Sequence, residues 1–435
     1  MAAKPSRFVS RLTQNTMALV LAGGRGTRLG VLTDWRTKPA VPFGGKFRII
    51  DFTLSNCLNS RIRKICVLTQ YKSHSLIQHL RKGWSFLNND FGEFVDIIPA
   101  QQWVDDDTWY RGTADAVYQT MDIIDGYGPE SVEYVLILAG DHIYTMDYGE
   151  MLAEHADSGA DLTIACHAVP KAEASSFGVM EVDETNRVFG FEEKPEQPKT
   201  VPGDPDHSLV SMGIYVFSRA FLRDRLELDA ANDQSDHDFG KNVIPTALRE
   251  GEHVQAYRFH SPATELPPYW RDVGTVDAYY RSNMEILSTN PPLDLYDPNW
   301  QIMTHQAQLP PAHIVGGGCA IENTMVSGGC VINCSKLQDT LLYSNVRVGE
   351  RCQLNGVLAL PGVEIGSNCR LTKVILDNQC RVPDGTIIGD DPEADRRRFA
   401  LTEEGVVVVN REMLGHGPRY TPGISICTPR SGTMG

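Results

Sequence analysis

Between residues 314 and 389 the chain repeats itself at a short period, and that repetition leaves few folds open to it. The fragments CAIENTMV, CVINCSKL, VRVGERCQL, VEIGSNCRL and CRVPDGTIIG place an apolar residue every two to three positions, with Gly or another small residue at the turns. Imperfect six-residue units of this kind mark a parallel β-helix. Each coil leaves its apolar residues uncovered until a neighbour stacks on it, so the coils stabilise one another. Cys352, Cys369 and Cys380 fall within these units. They are expected to fill small inward positions rather than to do chemistry.

The texture upstream differs. Four apolar runs, MALVLAGG (17–24), KICVLTQY (64–71), YVLILAGD (134–141) and DLTIACHAV (161–169), are short, nearly continuous and rich in β-branched residues or Leu. Strands buried on both faces read this way. Segments such as 73–82 and 114–125 lie between them and can carry helices. Strand followed by helix, repeated, implies a parallel sheet covered on both sides, with ligands bound at the carboxyl ends of its strands. The stretch NPPLDLYDPNW (290–300) is rich in Pro and Asp and reads as a linker. A chain of 435 residues exceeds what one core usually organises. The expected plan is a domain over 1–290, a linker over 291–312 and the β-helix over 313–435.

Composition excludes some functions. The formal net charge of −15 argues against nucleic acid as a partner. No stretch approaches the roughly 20 apolar residues of a membrane span. The N-terminal MAAKPSRFVSRLTQNT lacks the apolar core of a secretory signal, so a soluble, cytoplasmic protein is expected. Ten cysteines include no CxxC pair, and no histidine stands at metal-ligand spacing from Cys330 and Cys334. Reduced thiols are expected rather than a zinc site.

Three motifs carry chemistry. LAGGRGTRL (21–29) places three glycines within four residues, so a backbone turn can approach phosphate oxygens closely. Arg25, Arg28 and Lys38 add cations suited to a triphosphate. Neither the GK[ST] ending of a P-loop nor GxGxxG spacing is present. In LAGDHIY, Asp141 follows a buried strand, where a carboxylate suits Mg²⁺, although Asp also caps helices. WRDVGT supplies Asp272 as a second carboxylate, but spacing alone does not bring it beside Asp141. WYRGTADAV, SFGVM, FEEKP and SMGIYVF form a polar group suited to a sugar phosphate. In FEEKP the proline restricts the backbone of Lys194, which can serve as a fixed charge for a phosphate, and Glu193 can accept from sugar hydroxyls.

Over nearly its whole length the sequence resembles the bacterial ADP-glucose pyrophosphorylases, the glucose-1-phosphate adenylyltransferases. The strings FGGKFRIIDF, WYRGTAD and PYWRDVGT are the most specific, while AGGxGxRL and LAGD are shared by many sugar nucleotidyltransferases. The resemblance implies an α/β fold with a Rossmann-like, mostly parallel sheet followed by a left-handed parallel β-helix. It implies transfer from ATP to glucose 1-phosphate, yielding ADP-glucose and pyrophosphate for glycogen synthesis. Arg28, Lys38 and Asp141 would act in catalysis. Gly23, Gly24, Gln70, Gln102 and Gly112 would bind ATP. Tyr110, Gly178, Glu193, Lys194 and Ser211 would bind glucose 1-phosphate, and Asp141 with Asp272 would hold Mg²⁺. The family is generally a homotetramer, with the β-helix making subunit contacts and helping to form an effector site.

Regulation departs from some relatives. Trp35 stands where some have a lysine linked to activation by fructose 1,6-bisphosphate, and Pro42 stands where some have a histidine near an inhibitor site. Arg36 and Arg48 remain as effector ligands, with fructose 6-phosphate or pyruvate the expected activators. Acyl transfer by the β-helix is disfavoured, because residues 314–389 contain no histidine to act as base; His313 precedes them and His416 follows. A silent regulatory subunit is disfavoured by the intact Arg28, Lys38, Asp141 and Lys194.

Overall fold

The computed structural model describes residues 8–24, 26–100, 109–127, 131–260 and 268–417. Gln102 and Arg25 lie outside them. The chain divides into two compact units, Met1–Gln308 and Leu309–Gly435.

The first unit is built on a nine-stranded sheet. Its strands are β1 (Thr16–Leu21), β2 (Lys64–Thr69), β3 (Phe94–Pro99), β4 (Tyr134–Ala139), β5 (Leu162–Pro170), β6 (Gly178–Val182), β7 (Val188–Glu193), β8 (His207–Ser218) and β9 (Val254–Arg258). The order is β7-β6-β8-β4-β1-β2-β3, with β5 on β8 and β9 on β5. Strands β4, β1, β2 and β3 run parallel. The alternation of side chains explains the continuous apolar runs. Ala18 and Val20 of β1 enter one core with Leu136 and Leu138 of β4. Met17 and Leu19 enter a second core, on the other face, with Val135 and Ile137. The run at 161–169 is β5, and its direction departs from expectation: it pairs antiparallel with β8 and parallel with β9.

Helices cover the sheet. α1 (Ile49–Asn59), α2 (His74–Gly83) and α3 (Tyr148–Ser158) contribute Leu54, Leu80 and Met151 to the first core. α3 starts at Asp147, whose carboxylate accepts from the Gly149 N–H at 2.8 Å, and stops at Gly159, whose φ of 64° suits glycine. α1 carries the buried Asp51. It accepts from Trp84 Nε1 at 3.0 Å and Thr304 Oγ1 at 2.7 Å, and faces His79 Nε2 at 2.6 Å. A carboxylate taken out of water persists only with partners of this kind. No helix among the described residues is long and apolar enough to cross a membrane.

The second unit stacks short parallel strands in coils. One face runs from His313–Val315 through Val331–Asn333, Arg347–Val348 and Glu364–Ile365 to Arg381–Val382. Register repeats strictly: Arg347 pairs with Glu364 and Glu364 with Arg381. Inward residues form ladders, such as Leu337, Leu354, Leu371 and Ile388, and each is 2 % exposed or less. Cys352, Cys369 and Cys380 are buried in this core. The thiols of Cys352 and Cys369 donate to the Gly366 and Pro383 carbonyls at 2.9 and 3.1 Å. Every cysteine among the described residues is a free thiol; Cys319 and Cys334 are half-buried and the rest buried. This is the parallel architecture of a left-handed β-helix.

Candidate active site

The cleft of about 520 Å³ in the first unit opens where β1, β2 and β4 end, at Leu21, Leu68 and Ala139. The carboxyl edge of a parallel sheet leaves such a crevice because the chain turns away there in loops. Gly23, Gly24 and Gln70 line it, as do Lys38, Asp141, Tyr110, Gly112, Glu193 and Lys194. Gly24 has open space where a side chain would stand, so a ligand can lie against its backbone. Gly112 has no such freedom: a Cβ there would stand 2.2 Å from the His237 carbonyl oxygen.

A short strand pair solves what spacing could not. Ile143–Tyr144 pairs antiparallel with Trp270–Arg271, and this brings Asp272 beside Asp141. Lys38 lies between them, with Nζ 2.6 Å from Asp272 Oδ1 and 3.0 Å from Asp141 Oδ2. Burial lowers the Lys38 pKa, but the two carboxylates outweigh it and raise the value above the ordinary lysine range. Desolvation pushes Asp141 up; the Lys38 ammonium, followed by His142 and Arg28, overrides it and brings the group down to about 2. Arg28 is mostly exposed, with its guanidinium 3.7 Å from Asp272 Oδ2.

The donor set fits a divalent cation. Asp141, His142 and Asp272 each offer one ligand atom, and these atoms lie within 4.8 Å of one another. Carboxylate oxygens are hard donors suited to Mg²⁺. Lys38 and Arg28 face the same two carboxylates, and a divalent ion held there would add to the positive charge that a polyphosphate requires.

At the far end of the cleft, Glu193 pairs in register with Gly178 across β7 and β6. A Cβ on Gly178 would come within 2.9 Å of Glu193 Oε2. Lys194 Nζ lies 2.7 Å from Glu193 Oε1. The Lys194 backbone is restricted as expected before Pro195, but in an unexpected region: φ is 50°, in left-handed space. Its N–H donates to the Phe177 carbonyl at 3.0 Å, which holds the turn. Ser211 stands behind the wall rather than in it; its Oγ accepts from the Gly213 N–H at 3.2 Å, and Gly213 and Tyr215 line the cleft. Gln70 Nε2 donates to the Tyr110 carbonyl at 3.4 Å.

Some residues at the site carried no role in the sequence reading: His142, Tyr215, Asp238, Phe239 and Gly240. His142 lies in LAGDHIY, Tyr215 in SMGIYVF, and Asp238, Phe239 and Gly240 in the stretch HDFGKN (237–242), but no local signal separated these positions from strand and turn residues. Away from the cleft, Arg36 is 1 % exposed and donates Nε to the Leu32 carbonyl at 2.8 Å. Arg48 is half-buried and donates to the Ser75 carbonyl at 3.0 Å. Burial lowers its pKa to about 10.

Residues 17–289 match the nucleotidyl transferase family, and residues 310–409 match the GlmU-like C-terminal hexapeptide family. The fold and the cleft therefore define a nucleotidyltransferase with a hexapeptide-repeat domain. Among similar proteins, glucose-1-phosphate adenylyltransferase 2 of Alkalilimnicola ehrlichii is 56% identical over 421 residues, covering 95% of this chain and 98% of the relative. The glucose-1-phosphate adenylyltransferase of Nitrosococcus oceani is 55% identical over 420 residues, again covering 95% and 98%. That of Paraburkholderia phytofirmans is 53% identical over 418 residues, covering 94% and 98%. The chain belongs to the glucose-1-phosphate adenylyltransferase family.

Proposed function

We propose that this chain joins ATP and glucose 1-phosphate to give ADP-glucose and pyrophosphate, in the cytoplasm and for glycogen synthesis. The observation that carries the reading is the Lys38, Asp141 and Asp272 cluster at the strand ends, set between a glycine-rich turn and the Glu193–Lys194 pair. A phosphate oxygen of glucose 1-phosphate attacks the α-phosphorus of ATP; the bond from that phosphorus to the bridging oxygen breaks, and pyrophosphate leaves.

Each residue does positional or electrostatic work. Gly23 and Gly24 let the turn approach the triphosphate, and Gln70, Gln102 and Gly112 bound the nucleotide. Lys38 and Arg28 meet the charge that develops on the phosphates. Lys194 fixes the sugar phosphate, Glu193 accepts from sugar hydroxyls, and Tyr110, Gly178 and Ser211 shape that end. Asp141 and Asp272 would hold Mg²⁺, which when bound supplies charge neutralisation for the leaving pyrophosphate.

We also assign regulation by an anion, a sugar phosphate or pyruvate, and assembly as a homotetramer through the β-helix unit. Arg48, half-buried, suits effector contact better than Arg36, which is spent on Leu32. In the β-helix unit, Arg347, Arg381, Arg411 and His416 line a second cleft of about 530 Å³ together with Glu364, which pairs with Arg381 at 3.4 Å; the net positive lining also suits an anion.

The test is pyrophosphate release with glucose 1-phosphate and Mg²⁺, supplying ATP, UTP, dTTP and GTP in parallel, with and without the effectors. Strong preference for ATP is expected, with a loss of several orders of magnitude in kcat for a folded Asp141→Ala variant. Preference for another nucleotide overturns the product, and no turnover at all returns the regulatory-subunit reading.

A further inference from the structure

His142 follows Asp141 directly, and in an extended strand consecutive side chains point to opposite faces. Here they do not, because the chain turns at residues 140–141 before the short strand begins. His142 Nε2 faces both carboxylates, 3.6 Å from Asp141 Oδ1 and 3.9 Å from Asp272 Oδ1. Both separations exceed hydrogen-bond length. Donors sharing one ion, each at about 2.1 Å, stand roughly 3 to 4 Å from one another. Lys38 contacts the other oxygen of Asp141, Oδ2, and leaves Oδ1 toward the histidine.

The ring is held in this pose. Its side chain is 14 % exposed and packs edge-on against Trp270 with centroids 5.2 Å apart. Its Nδ1 is buried and has no hydrogen-bond partner among the described residues. Nε2 is the nitrogen turned to the two carboxylates, within ion-pair range of both and in a hydrogen bond with neither. Packing alone would be served as well by an apolar side chain.

Resting on the reading that Asp141 and Asp272 hold the cation, we propose that His142 is its third protein ligand, through Nε2. The site is then a nitrogen-and-two-oxygen set rather than a pair of carboxylates. Imidazole suits transition metals, whereas Mg²⁺ favours oxygen alone. The chain should consequently hold Mn²⁺ more tightly than Mg²⁺, and that preference should depend on residue 142.

The experiment is Mn²⁺ binding to the full chain, followed by electron paramagnetic resonance without substrates. Pulsed measurements on the wild type should show coupling of bound Mn²⁺ to one ¹⁴N nucleus. Protein grown with ¹⁵N-histidine should replace it with a ¹⁵N pattern, a readout needing no substitution. His142→Gln should abolish the coupling and weaken Mn²⁺ roughly tenfold or more, while weakening Mg²⁺ less. Asp272→Asn should weaken both ions. Wild-type Mn²⁺ without nitrogen coupling, coupling unaltered by ¹⁵N-histidine, or unchanged affinity in His142→Gln overturns the ligand assignment. If Asp272→Asn also leaves Mn²⁺ affinity unchanged, or the wild type binds no Mn²⁺, the underlying carboxylate reading falls as well.

Discussion

Lys194 holds a left-handed backbone at a proline junction and lines the cleft with its ammonium 2.7 Å from Glu193. A hydrogen bond to a charged group is worth about 1.5–3 kcal/mol, and each 1.4 kcal/mol is tenfold. Lys194→Ala should therefore raise KM for glucose 1-phosphate tenfold or more and leave KM for ATP near its wild-type value. Steady-state kinetics with each substrate varied checks this; an equal loss for ATP would reassign the lysine. His155 makes a separate prediction. It is buried on α3, with Nδ1 2.7 Å from Thr163 Oγ1, and burial lowers its pKa from 6.5 to about 4. Between those values the unfolded chain binds a proton that the folded chain refuses, so stability present above pH 6.5 is lost as pH falls toward 4. The span corresponds to at most about 3 kcal/mol. A His155→Gln variant should show a shallower fall in melting temperature over that window. At this scale the sequence disclosed most of the cleft, because the glycine turn, Lys38 and Asp141 lie in short strings whose chemistry is local. It could not set Asp272 beside Asp141. That contact depends on two-residue strands far apart in the chain, and strands so short carry no periodicity.

The β-helix coils were legible as an element because their period is short and repeated, so each fragment reports the same environment. The direction of β5 was not. A continuous apolar run records burial on both faces of a sheet and says nothing about which way the neighbouring strand points. Coil geometry depends on a few turn residues. Gly389 has φ of 91°, and a Cβ there would lie 1.9 Å from the Thr372 carbonyl oxygen, a backbone atom that cannot swing aside. Gly389→Ala should destabilise the β-helix unit by about 3 kcal/mol or more, combining left-handed strain with overpacking. Chemical denaturation of the variant checks it. A change within a few tenths of a kcal/mol would mean the turn relaxes freely.

Two units with separate cores need not melt together. Calorimetry of the whole chain should show more than one transition, and Gly389→Ala should shift one of them while leaving the other in place. A single transition shifted as a whole would mean that the two cores unfold as one. The thiols give this question a clock. Cys319 and Cys334, near the start of the coiled unit, are half-exposed, whereas Cys330, Cys352, Cys369 and Cys380 are sealed inside it. A thiol-reactive dye should label the first pair quickly and the inner ones only as coils peel apart. The order in which mass spectrometry finds the dye would then trace the direction of that unravelling, coil by coil, without any engineered probe.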